Sequence, residues 1–114
     1  MMHEMALSES IIQAIEAGAG EHGYAKVSLV RIEMGPLAGV EKEALRFCFD
    51  AVSRGTIAEG AQFDILETEA RAWCLPCGKS VVIQHRLDSC RDCGSSQLQV
   101  QSGDELRIKE LEVN

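Results

Sequence analysis

The residues of this chain best placed to do chemistry are four cysteines in two matched pairs. Cys74-Leu75-Pro76-Cys77-Gly78 is answered, after an interval of twelve residues, by Cys90-Arg91-Asp92-Cys93-Gly94. Each C-x-x-C turn brings two sulfurs within reach of a common ion, so the pair of turns predicts one four-thiolate zinc site. The glycine after each pair can take positive φ, letting the backbone fold under the sulfurs and aim amide donors at them. Tetrahedral sulfur ligation suits a filled d-shell ion, and no open coordination position is evident. His85 lies between the pairs and could replace a thiolate, but four sulfurs already complete the tetrahedron. Redox dithiols or disulfides are the alternatives. They fit a reducing compartment less well than a metal does.

The second place for chemistry is the amino terminus, Met1-Met2-His3-Glu4. A free amine, deprotonated backbone amides and a nearby imidazole can wrap a square plane of nitrogens, the geometry Ni(II) and Cu(II) favour. With histidine third, the Met1 amine, the Met2 and His3 amides and the His3 imidazole form a continuous chelate. If Met2 is the start, the Met2 amine, the His3 and Glu4 amides and the imidazole can do the same. A histidine near an amino terminus is by itself more often a solvated end residue.

Both places need a scaffold. Leu7, Ile11, Ala14, Ile15 and Gly18 fall on one face of a helix over 5–19, with Gly18, Gly20 and Gly23 as stop signals. A β-branched stretch, Lys26–Met34, ends at Gly35-Pro36. A second helix is predicted from Glu41 to Arg54, with Leu45, Cys48, Phe49 and Val52 on one face and Gly55 as its stop. A strand follows at Phe63–Ala70, then the cysteine module, then a last strand at Glu105–Val113 whose apolar residues change parity. Two strands under two helices would be marginal, so the last strand is expected to return and make three. The fold class is therefore α+β: a small three-stranded sheet with two helices, plus an inserted zinc-ribbon-like β module. Residues 1–70 and 104–114 form the α/β domain, and 71–103 the zinc-binding module.

Composition narrows the function. At 114 residues and 46% hydrophobic content, the chain has a modest core that a metal staple would help. No apolar run is long enough to span a membrane, and no leader is evident, so a cytoplasmic location is expected. A net charge of −7 argues against broad contact with nucleic acid. Around the cysteines, Arg71, Lys79, Arg86 and Arg91 outnumber Asp88 and Asp92. These cations are expected to offset the thiolate charge.

The chain resembles the HypA/HybF family along essentially its whole length. The resemblance rests on Met2-His3-Glu4-Met5 opening a helix, Val30–Gly35 followed by a helix over 41–54, the C-x2-C-x12-C-x2-C module and the short tail strand. It implies a nickel metallochaperone of [NiFe]-hydrogenase maturation, not an enzyme, with nickel as transported cargo and zinc as a structural ion. The resemblance places His3 and Glu4 at the nickel site and Cys74, Cys77, Cys90 and Cys93 at zinc. Glu41 occupies a place where some members have a nickel-binding carboxylate, although an acid at a helix start also suits the helix dipole. The family motif begins Met-His, so Met1 is additional here and alters which amine and amides would bind. The implied partners are the maturation GTPase HypB and the hydrogenase large-subunit precursor, and in some organisms urease maturation. A monomer or weak homodimer is expected, without nucleic acid or membrane.

Other residues are read as structural. Cys48 is expected to be a core thiol, Met5 and Met34 core fillers, and His22 a loop residue. Trp73 is expected to pack where the module joins the α/β domain, and Glu67, Glu69, Glu110 and Glu112 to face solvent. The rival reading is a zinc-ribbon interaction module that binds protein or nucleic acid. It explains the cysteines equally well but not the opening Met-His-Glu. A zinc hydrolase would need an open coordination position and a poised base, and neither is offered.

Overall fold

The computed structural model describes residues 2–114, with side chains from His3 onward. In chain order the elements are α1 (Met2–His22), β1 (Val27–Met34), α2 (Lys42–Ser53), β2 (Gln62–Glu67), β3 (Ala70–Cys74), β4 (Lys79–Ile83), β5 (Leu98–Ser102) and β6 (Leu106–Val113). The strands form two three-stranded sheets, ordered β2-β1-β6 and β4-β3-β5. The fold is thus α+β, with two helices, the expected three-stranded sheet and a small β module around the cysteines. The carboxy-terminal strand does return: the Asn114 amide donates to the Lys26 carbonyl at 3.0 Å, and the Gly35 amide to Glu105 at 2.9 Å. Those two bonds at opposite ends of β1 make β6 its antiparallel neighbour.

The chain divides into two compact units. Unit 1 comprises 1–32, 40–65 and 108–114; unit 2 comprises 33–39 and 66–107.

In unit 1 the core is aliphatic: Ile11, Ile12 and Ile15 of α1, Val27, Leu29, Val30 and Ile32 of β1, and Leu45, Cys48 and Phe49 of α2 are all buried. Phe49 also stacks on Phe63, ring centroids 4.2 Å apart. Cys48 is the core thiol its helical position predicts. The first helix departs from expectation in two ways. It starts earlier and ends later, at His22, because Gly18 and Gly20 are carried inside it. Gly18 serves an approach: a Cβ there would lie 2.5 Å from the Tyr24 hydroxyl, which donates to the Ile15 carbonyl at 2.6 Å. Gly23, at φ +76°, is the residue that ends the helix. The buried face is also rotated. Ala14 is exposed, and the stripe runs Glu4, Ser8, Ile11, Ile12, Ile15, so two polar residues are enclosed.

The second helix matches its predicted bounds to one residue, because Glu41 caps it. The Glu41 carboxylate accepts from the amides of Glu43 at 3.3 Å and Ala44 at 2.6 Å, satisfying donors that have no acceptor within the helix.

In unit 2, β3 is the central strand, antiparallel to both β4 and β5, with a register irregularity opposite Arg71/Ala72. The expected strand over 63–70 is in fact two. It breaks at Thr68–Glu69, where the Thr68 amide donates to Met34 and its hydroxyl to Glu105 at 2.5 Å. Ala70 then starts β3. Trp73 is 38% exposed on β3, opposite Ser80 and Gln99.

Candidate metal centre

The cysteine turns are built alike. In each, the amide of the following glycine donates to the carbonyl of the first cysteine at 2.8 Å, Gly78 to Cys74 and Gly94 to Cys90. Both glycines take the positive φ their position demands, +65° and +76°. Their amides close the turns onto carbonyls, and the amides that follow the first cysteine within each turn are left to meet the sulfurs, as expected. Sulfur receives other amides: Asp92 donates to Cys90 Sγ at 3.4 Å. A second loop contact, the Cys90 amide to the Ser95 carbonyl at 2.8 Å, fixes the start of that turn.

Four sulfurs result, all within 4.8 Å of one another. Cys74 and Cys93 sulfurs lie 3.6 Å apart, and Cys77 and Cys90 sulfurs 3.9 Å apart. A tetrahedron with zinc–sulfur bonds of about 2.3 Å has edges of about 3.8 Å, so these separations bracket the edge that zinc requires. The donor set therefore fits a structural zinc ion. His85 is not in the cluster among the described residues; its ring faces solvent beside Asp88.

The electrostatics point the same way. The Cys77 thiol is pushed up to about 12, first by Cys93 and Cys74 and then by burial. Cys74 is also raised: burial and the neighbouring sulfurs outweigh the Cys77 amide, which is the largest single influence and lowers it. Cys90 is pulled down to about 7, first by the Cys93 amide and then by that of Asp92. The Cys90 thiolate is favoured and those of Cys74 and Cys77 are not, because close sulfurs cannot all ionise without a cation among them. Zinc supplies that cation. At the edge of the cluster Lys79 pairs with Asp92 at 2.8 Å. Its ammonium is held protonated above its usual range, first by Asp92 and further by Cys77 and Cys90.

The amino-terminal residues take two different settings. His3 is exposed on the first turn of α1, whereas Glu4 is 2% exposed. Adjacent helical residues do not face each other, which accounts for the split. Glu4 Oε2 accepts from the Glu41 amide at 3.1 Å. That bond holds the Glu4 carboxyl below the usual carboxylate range, with burial opposing it. The structure thus brings Glu4 to the start of α2, beside Glu41, and leaves His3 facing outward. Glu4 Oε1 and Ser8 Oγ are buried without a hydrogen-bond partner among the described residues. The inward aim of Glu4 was missed in the sequence, where its i, i+4, i+7, i+11 series with Ser8, Ile11 and Ile15 was available but polar at its first two places.

These features define a small zinc-stapled metalloprotein with a histidine-bearing amino terminus. Comparison with known proteins specifies the class. A family model described as HypA, hydrogenase/urease nickel incorporation, metallochaperone, matches residues 2–113. The chain belongs to the HypA family. It is 55% identical to the hydrogenase maturation factor HypA of Azotobacter chroococcum mcd 1 over 112 residues, covering 98% of this chain and 99% of that protein. It is also 55% identical over 112 residues to the Rhodobacter capsulatus protein of the same name, with the same coverage. The solution structure of the Ni metallochaperone HypA from Helicobacter pylori shares the fold, at a TM-score of 0.69 and 20% identity over 96% of both chains. The chain is therefore a nickel-incorporation metallochaperone of hydrogenase maturation, with nickel as its cargo, and that role implies contact with the maturation machinery. Among the described residues no helix is long and apolar enough to cross a membrane.

Proposed function

We propose that this chain carries Ni(II) at its amino terminus, with the His3 imidazole as side-chain ligand and Glu4 beside it, and passes it on for [NiFe]-hydrogenase maturation. The observation that carries the reading is the exposed His3 on the opening turn of α1. The first turn is the one part of a helix whose amides have no acceptor within it, so those nitrogens are free to join the imidazole around a metal. A carrier must also release its cargo, and a site at a chain end is accessible to a recipient.

Cys74, Cys77, Cys90 and Cys93 hold structural zinc, and the module over 71–103 is a rigid surface offered to partners. Residues 1–70 and 104–114 hold nickel. HypB and the hydrogenase large-subunit precursor are the partners, urease maturation is a second destination, and the cytoplasm is the place of action. The family's role as a maturation factor supports these assignments.

Calorimetric nickel titration of untagged, zinc-loaded protein, with His3→Ala alongside, tests the site. The reading expects about one nickel per chain, lost in His3→Ala with zinc content unchanged. Binding weakens as pH falls, because nickel needs the amine and imidazole unprotonated. Equal binding by both proteins, or none by either, overturns it.

A further inference from the structure

Two enclosed polar groups on α1 are left unpaired by the contacts described above. Ser8 is 0% exposed and Glu4 2%, and they lie four residues apart on the same face of the helix. Among the described residues the Ser8 hydroxyl has no hydrogen-bond partner, and neither does Glu4 Oε1, the oxygen left over after Oε2 takes the Glu41 amide. Residues i and i+4 sit one above the other along a helix, so the two unpartnered groups are neighbours. A buried hydroxyl or carboxylate oxygen without a hydrogen bond is costly, and folded proteins seldom keep even one. Two such groups in adjacent turns point to one shared ligand. A hydroxyl donates and a carboxylate oxygen accepts, and a water molecule can do both at once.

We infer that Ser8 is a positioning residue for Glu4, its hydroxyl bound through an enclosed water to the carboxylate oxygen that Glu41 leaves free. The carboxylate is then held at both oxygens, one by the start of α2 and one by the next turn of α1. Its direction is fixed before any metal arrives. This rests on the reading above in one respect, that Glu4 serves nickel; the polar pair itself does not depend on it.

The test is a double-mutant cycle of Ser8→Ala and Glu4→Gln, read by thermal unfolding of zinc-loaded protein and by nickel titration. Two effects push Ser8→Ala toward higher stability: alanine is the better helix former, and an unsatisfied buried hydroxyl is removed. A lower Tm, by about 4 °C, that depends on the Glu4 carboxylate then reports a bond that the hydroxyl makes to it. The inference expects that loss in the Glu4 background and little or none in the Glu4→Gln background. It also expects nickel affinity in Ser8→Ala to weaken by about 10-fold, as when a partner of a metal ligand is removed. An unchanged or raised Tm in Ser8→Ala overturns the inference whatever nickel does. If the thermal coupling is present but both single variants bind nickel like the parent, the polar pair stands and the assignment of Glu4 to nickel is overturned.

Discussion

Unit 1 fills its interior with branched aliphatic side chains from α1, β1 and α2, whereas unit 2 closes around Leu37, Ala70, Ala72, Val81, Ile83 and the sulfurs of Cys74 and Cys90. Two of those core residues are alanines, so little apolar area is removed from water, and the hydrophobic effect there is correspondingly weak. Where the first unit is held by packing, the second needs a covalent-strength centre. A structural ion replaces the missing apolar core of unit 2, whereas unit 1 stands on packing alone.

The largest effect that sharpens this contrast is loss of zinc. Structural zinc in small domains contributes on the order of 10 kcal/mol of apparent binding energy. Cys90→Ser should abolish stoichiometric zinc, measured by elemental analysis, and expose the module to protease. The aliphatic unit gives the next largest effect. Ile15→Ala, at a side chain 1% exposed, should cost about 2–5 kcal/mol in denaturant unfolding, with zinc content unchanged. If Ile15→Ala also emptied the zinc site, the division of labour would be wrong. Glu41→Ala removes the cap of α2 and should cost about 1 kcal/mol by the same measurement.

The smallest effect is one of protons. Cys90 titrates at about 7, so above that pH its proton has already left the metal-free protein. Below it, zinc must displace that proton as well as those of Cys74 and Cys77, which are raised. Proton release per zinc should therefore fall by about one between pH 6 and pH 8, and apparent affinity should weaken as pH drops. Calorimetry in buffers of different ionisation enthalpy reads the count directly. A release that does not change with pH would contradict the uneven thiols.

The contrast between units also governs what could be read in advance. The zinc centre was legible because its chemistry fixes both residue type and spacing: Cys74, Cys77, Cys90 and Cys93 need no tertiary information to be grouped. The second helix was legible because its apolar face ends in a clear acidic start at Glu41 and a glycine at 55. The first helix was not, because its buried stripe opens with Glu4 and Ser8, residues that a hydrophobic pattern assigns to solvent. The approach of the Glu41 amide does most to make an inward carboxylate tolerable, and that contact spans 37 positions. The break at Thr68 was hidden for a related reason. Nothing local to 63–70 announces the partners at Met34 and Glu105 that end β2 there.

The measurement that tests the central claim most directly is amide hydrogen exchange before and after zinc is stripped by a chelator. The account predicts that protection over 70–83 and 90–102 collapses without zinc, while amides of 29–32 and 45–49 in the aliphatic unit remain protected. Loss of protection in both sets together, or in neither, would contradict the view that one unit is held by metal and the other by packing.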